Sequence, residues 1–180
     1  SGKVYKKLKE SEHNNYFILD TPTGKYTLPV WQVDLDGFVD NPEDAKIEII
    51  IEQAEDSDIA DKLRNDGLVL RSKPTSFTVR ARTGEYRLSK VKEIKSLGDE
   101  YFECWIPLSQ EPVQDETFGI YIDRETGAIS HVPTIFIKDG DTWYAGLKEN
   151  GNGIYAIAEY KKTFEDIYDH WAKSDIELMA

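Results

Sequence analysis

Lys46 to Gln53 alternates apolar and polar residues, with Ile47, Ile49 and Ile51 on one side and Glu48 and Glu52 on the other. A two-residue period fits a half-buried β-strand and cannot lay an apolar stripe along a helix. The period returns in Tyr101 to Pro107 and Val132 to Lys138, and Thr142 to Lys148 and Gly153 to Tyr160 are further strand-like runs. Between such runs stand turn formers. Thr23-Gly24, Thr83-Gly84 and Thr126-Gly127 each follow strand-like residues and precede more of them. Each therefore reads as a β-hairpin whose Gly supplies the left-handed turn. Their spacing is unequal, so this is recurring turn chemistry and not a sequence repeat.

Glu149-Asn150-Gly151-Asn152-Gly153 is the strongest turn signal. It predicts a terminal hairpin of Thr142–Lys148 with Gly153–Tyr160, carrying Trp143, Tyr144, Tyr155 and Tyr160. Helical signals are few. Asp56-Ser57-Asp58 is a cap for Ile59 to Arg64, with Gly67 as the stop, and Pro29 to Leu35 has room for one short turn. The expected fold is mainly β: an antiparallel β-sandwich or open barrel with one short helix, plus a C-terminal helical tail. The expected organisation is a β-rich module over 1–160, a linker over 161–163 and a tail over 164–180.

Charge narrows the partners. The 180 residues hold 34 Asp and Glu against 22 Lys and Arg, a net charge of -12. Such a surface repels phosphate backbones, and Lys6-Lys7-Leu8-Lys9 is too short a basic run to reverse that. No nucleic acid is expected as a partner. No stretch approaches the roughly 18 apolar residues of a membrane span. The lone cysteine, Cys104, alternates in phase with Phe102 and Ile106 and reads as a small buried apolar residue. The opening Ser1-Gly2-Lys3 lacks an initiator Met, so the expectation is a piece excised from a longer chain. On that reading, a missing signal peptide says nothing about secretion.

The tail, FEDIYDHWAKSDIELMA, begins a helical unit with Asp169 as a cap and Trp171, Ile176, Leu178 and Met179 as its apolar residues. A single short helix cannot bury such a stripe alone. Phe164, Asp166, Ile167, His170, Trp171, Ala172, Ile176 and Leu178 resemble the opening of an S-layer homology (SLH) motif, which starts Phe-x-Asp-Val and continues His-Trp-Ala, then Ile and Leu. Ile167 departs from the commoner Val. Upstream, Gly119 to Asp123, His131 to Thr134, Trp143 to Lys148 and Tyr155 to Ile157 are similar to β-modules placed just before SLH repeats in Gram-positive surface proteins. The resemblance implies an extracellular protein of the cell wall or S-layer, anchored through a pyruvylated secondary cell-wall polymer. The implied partners are other surface-layer proteins or cell-wall glycan, reached through the full-length parent. The polymer-binding segment of the motif, a Thr-Arg-Ala-Glu-like stretch, is expected beyond Ala180.

Candidate sites are sparse. Asp34, Asp36 and Asp40 lie in the densest acidic stretch, and calcium is the ion that such oxygens would take. The spacing misses the EF-hand pattern, and Gly37 with Asn41-Pro42 explains the same residues as loop formers. No cofactor is expected. His13, His131 and His170 are scattered and share no metal-ligand spacing. No phosphate loop, nucleophile elbow or Ser-x-x-Lys motif occurs, and no carboxylate pair stands out, so catalysis is not expected. The expected function is a non-catalytic structural, spacer or interaction module of an SLH-anchored surface protein. The alternative is a carbohydrate-binding or adhesion module. Its stacking residues would come from Trp31, Trp105, Trp143 and the tyrosines of the terminal hairpin, with the adjacent Trp143 and Tyr144 pointing to opposite faces.

Overall fold

A computed structural model describes residues 2–11, 15–33, 35, 38, 44–55, 57–65, 67–83, 90–94, 102–149 and 151–160. The linker, every SLH-like position from Phe164 to Leu178, and the calcium candidates Asp34, Asp36 and Asp40 lie outside them. Among the described residues, twelve strands form two antiparallel sheets. The first has five strands in the order β1 (Tyr16–Thr21), β2 (Gly24–Pro29), β7 (Phe102–Leu108), β11 (Thr142–Glu149) and β10 (Thr134–Asp139). The second runs β3 (Ala45–Gln53), β5 (Thr75–Thr83), β12 (Gly153–Tyr160), β8 (Thr117–Ile122) and β9 (Ile129–Val132). To it β4 (Leu68–Leu70) adds on β12 and β6 (Lys90–Glu93) on β5.

Alternation decides which side chains meet between the sheets. Tyr26, Leu28, Cys104, Ile106, Ala145 and Leu147 come from the first sheet, and Phe77, Val79, Ala81, Val132, Tyr155 and Ile157 from the second. All are buried. Phe77 sits at the centre, 5.9 Å from the Tyr26 ring and 6.0 Å from that of Tyr155. Burial there pushes the Tyr26 phenol well above its ordinary range, and neighbouring Cys104 adds to the rise. The outer face of the second sheet has its own cover, α2 (Ser57–Asn65). Ile59 and Leu63, one helical turn apart, pack on Ile120, Ile122, Ala156 and Ala158. Alanine at two of those positions presents little bulk beneath the helix. Gly67, at φ 73°, ends it by donating its N–H to Arg64 O at 3.2 Å.

Several expectations need correction. The strands of the terminal turn are present, but β11 and β12 do not pair: each belongs to a different sheet. Asn152 explains the parting. Its side-chain amide accepts the Val79 N–H at 2.8 Å and donates to Val79 O at 3.0 Å, which ties the chain to β5 where β12 begins. The run from Val132 to Lys138 is two strands, because Pro133 has no N–H to carry the ladder on and the chain changes sheets there. Gly24 is not the residue that makes the first turn; it opens β2, and φ is not positive there. A helix not read from sequence, α1 (Gly2–Lys9), places Leu8 against the core. The described residues therefore hold two α-helices where one was expected.

Candidate functional site

The outer face of the five-stranded sheet is the surface where aromatic and polar groups gather. Register lays them in rows. Asp20, Lys25, Trp105, Gly146 and Ile135 stand side by side across all five strands. A neighbouring row holds Ile18, Thr27, Glu103 and Lys148; another holds Pro107, Tyr144 and Ile137. Among these, Ile18 is 62% exposed and Ile135 and Ile137 are each 44% exposed. They stand on the two edge strands, β1 and β10, where singly exposed apolar residues are ordinary.

Trp105 is the centre of this face. A Cβ built on Gly146 would stand 2.7, 2.7 and 3.0 Å from three consecutive atoms of the indole six-membered ring. A point beyond the ring edge could not lie so near all three, so the ring covers the glycine with its face. One face of the indole is spent on the β11 backbone, and the other looks outward. The indole N–H donates to Glu103 Oε2 at 3.2 Å, which fixes both the ring and the carboxylate at its edge. Around the ring is a depression of about 370 Å³, lined by Tyr144, Ile18, Ile137 and Thr27 with Asp20, Lys25, Glu103 and Asp139.

The aromatic candidates divide. Tyr144 belongs to this face. Trp143, one residue earlier, points the other way: it packs against the inter-sheet core with Phe136, and Lys138 Nζ lies 5.8 Å from its ring centroid. Trp31 follows β2 and meets Tyr16 edge-on, centroids 4.9 Å apart, at one end of the β1 edge. His131 is exposed on β9, its ring 5.6 Å from Phe118. Gly146 was missed by sequence reasoning. Its signal is a glycine inside a strand pattern, which often marks close approach of another group.

Other clusters are structural in character. Arg71 forks onto Glu159 with two hydrogen bonds, one of 2.7 Å from Nε, and joins the end of β12 to the turn after β4. Arg80 and Arg82 both reach Glu48 across β3 and β5. Asp123 closes the β8–β9 turn, accepting the Thr126 N–H at 2.7 Å, the Thr126 hydroxyl at 2.8 Å and the Glu125 N–H at 3.0 Å. Among the described residues no group of three or more His, Cys, Asp or Glu is placed to hold a metal ion. No described helix is long and apolar enough to cross a membrane.

No protein-family model matches the chain, and comparison with curated proteins and with solved structures gave no significant match.

Proposed function

We propose that this chain is a non-catalytic, extracellular interaction module of a surface-anchored bacterial protein, and that it engages carbohydrate through the outer face of its five-stranded sheet. The observation that carries the reading is Trp105 laid face-on over Gly146. An indole held flat on a sheet is already ordered, so a sugar ring that stacks on it costs the protein little side-chain entropy. Its apolar face suits the C–H face of a pyranose. The carboxylates and the ammonium at its rim suit the hydroxyls around that pyranose. Tyr144 supplies a second ring one row away.

The SLH-like tail supports the setting. A module joined to such a motif would stand at the wall or S-layer of a Gram-positive bacterium, where glycan and neighbouring surface proteins are the available partners. The shape supports a binding role over catalysis, because the aromatic face is a shallow surface and not an enclosed cleft.

Affinity electrophoresis through gels containing soluble polysaccharides tests the reading. Retardation of the protein, lost in Trp105→Ala with the fold retained by circular dichroism, is the expected result. Equal migration of both proteins in every glycan would remove the carbohydrate role.

A further inference from the structure

The charges around Trp105 carry the assignment one step further, to the class of glycan, and this step rests on the carbohydrate reading above. We infer that the Trp105 face takes uncharged or amine-bearing glycans and turns away carboxylated, phosphorylated or sulfated ones. Three carboxylates, Asp20, Glu103 and Asp139, line the depression against one ammonium, Lys25. Lys25 stands directly opposite Asp20 on the paired strand, so its charge is met locally. Lys148 stands opposite Glu103 in the same way, just outside the lining, while Asp139 stands opposite Thr142, so the face as a whole keeps an excess of carboxylates.

Glu103 is the decisive group. The hydrogen bond from the Trp105 indole holds its carboxylate at the edge of the ring. Any sugar stacked on the indole therefore meets a fixed negative charge at its rim. For a hydroxyl that charge is a strong acceptor, and for a sugar ammonium it is a charge partner. For a uronate, phosphate or sulfate it is a like charge. One like-charge contact near 4 Å in water-like surroundings weakens binding on the order of fivefold. The net charge of -12 adds repulsion at longer range, which salt screens beyond roughly 8 Å under physiological conditions.

Titration calorimetry with three oligosaccharides of matched length and β-1,4 linkage separates the outcomes: glucose, glucosamine and glucuronic acid oligomers. The expected result is binding of the first two, with the glucuronic acid oligomer at least about fivefold weaker in low salt. That gap narrows as sodium chloride is raised, and narrows again in the double variant D20N/D139N. A uronic acid oligomer that binds as tightly as the glucose oligomer, with no response to salt, would overturn the charge selection and leave the platform standing. Failure of all three to bind would overturn both.

Discussion

The Trp105 ring and the Gly146 backbone are in face-to-face contact across β7 and β11, at a spacing that leaves no room for a methyl group. Gly146→Ala must therefore lift the indole off the sheet or shift the strand. Overfilling a well-packed core costs about 1–3 kcal/mol, and a half-buried ring that can lift costs less. The expected outcome is a lowered Tm by calorimetry together with weakened glycan binding. A variant as stable as the parent, with unaltered affinity, would show that the ring does not need the glycine.

The adjacent aromatics of β11 give opposite expectations. Tyr144→Ala removes a ring from the outer face, where aromatic stacking contributes about 0.5–1.5 kcal/mol beyond area, so affinity falls between twofold and about tenfold while Tm changes little. Trp143→Ala removes a ring that packs on the core, so Tm falls and glycan affinity holds. Parallel melting and binding curves on the two variants distinguish them. A Trp143→Ala protein that is fully stable but fails to bind glycan would move the site to the other side of the sheet.

The centre of the core makes its own demand. Phe77 is fully buried and touches Tyr26 of the opposite sheet and Tyr155 of its own. Phe77→Ala leaves a cavity bounded by rings that cannot collapse into it, and comparable changes cost about 3–5 kcal/mol. Urea titration should show the midpoint fall steeply with the slope unchanged. A loss under 1 kcal/mol would mean that the sheets close together without this ring.

Strands were legible because alternation is local, while their partners were not. Ile120, Ile122 and the β9 residues fall where the turn at Gly127 leads one to expect, since a tight turn dictates its own pairing. Asn150 to Gly153 looked like the same kind of turn. Yet Ile154 to Ala158 is apolar at every position, not at every second one. Such a run marks a strand covered on both faces, and β12 is that strand, between the first sheet and α2. Helix α1 was hidden by its lysines, although Val4 and Leu8 have helical spacing. The site was half legible. Tyr144 and Trp105 could be named as aromatic candidates from sequence, but their shared face depends on register between β7 and β11, which no local pattern encodes.

The tail gives an independent test of organisation. The proposed SLH-like reading of residues 164–180 makes them a short helical unit separate from the β-core, and an isolated helix of that length is marginal in water and adds little to a neighbouring core. Removal of residues 161–180 should leave Tm nearly unchanged in dilute solution. A fall of many degrees on differential scanning would show that the tail is integral to the fold, and the division at residue 160 would have to be abandoned.

Acid stability should report the β8–β9 turn. Hydrogen bonds from the Thr126 N–H, then from its hydroxyl, hold the Asp123 carboxyl below the ordinary Asp value; desolvation opposes them, and the Glu125 N–H adds a lesser pull in the same direction. The sign follows from linkage. A carboxyl with a depressed folded-state pKa binds its proton more weakly folded than unfolded, so its stabilisation is complete above the ordinary Asp value of about 3.9. It is lost as pH falls through the lower, folded-state value. Asp123→Asn keeps a side-chain acceptor but has no charge to titrate. The variant should therefore melt below the parent at neutral pH, and the difference should shrink as the solution is acidified past the ordinary Asp range. Melting curves collected from neutral pH downward on both proteins measure that convergence. A difference that stays constant, or widens in acid, would mean that the turn is held by its geometry and owes nothing to the charge on Asp123.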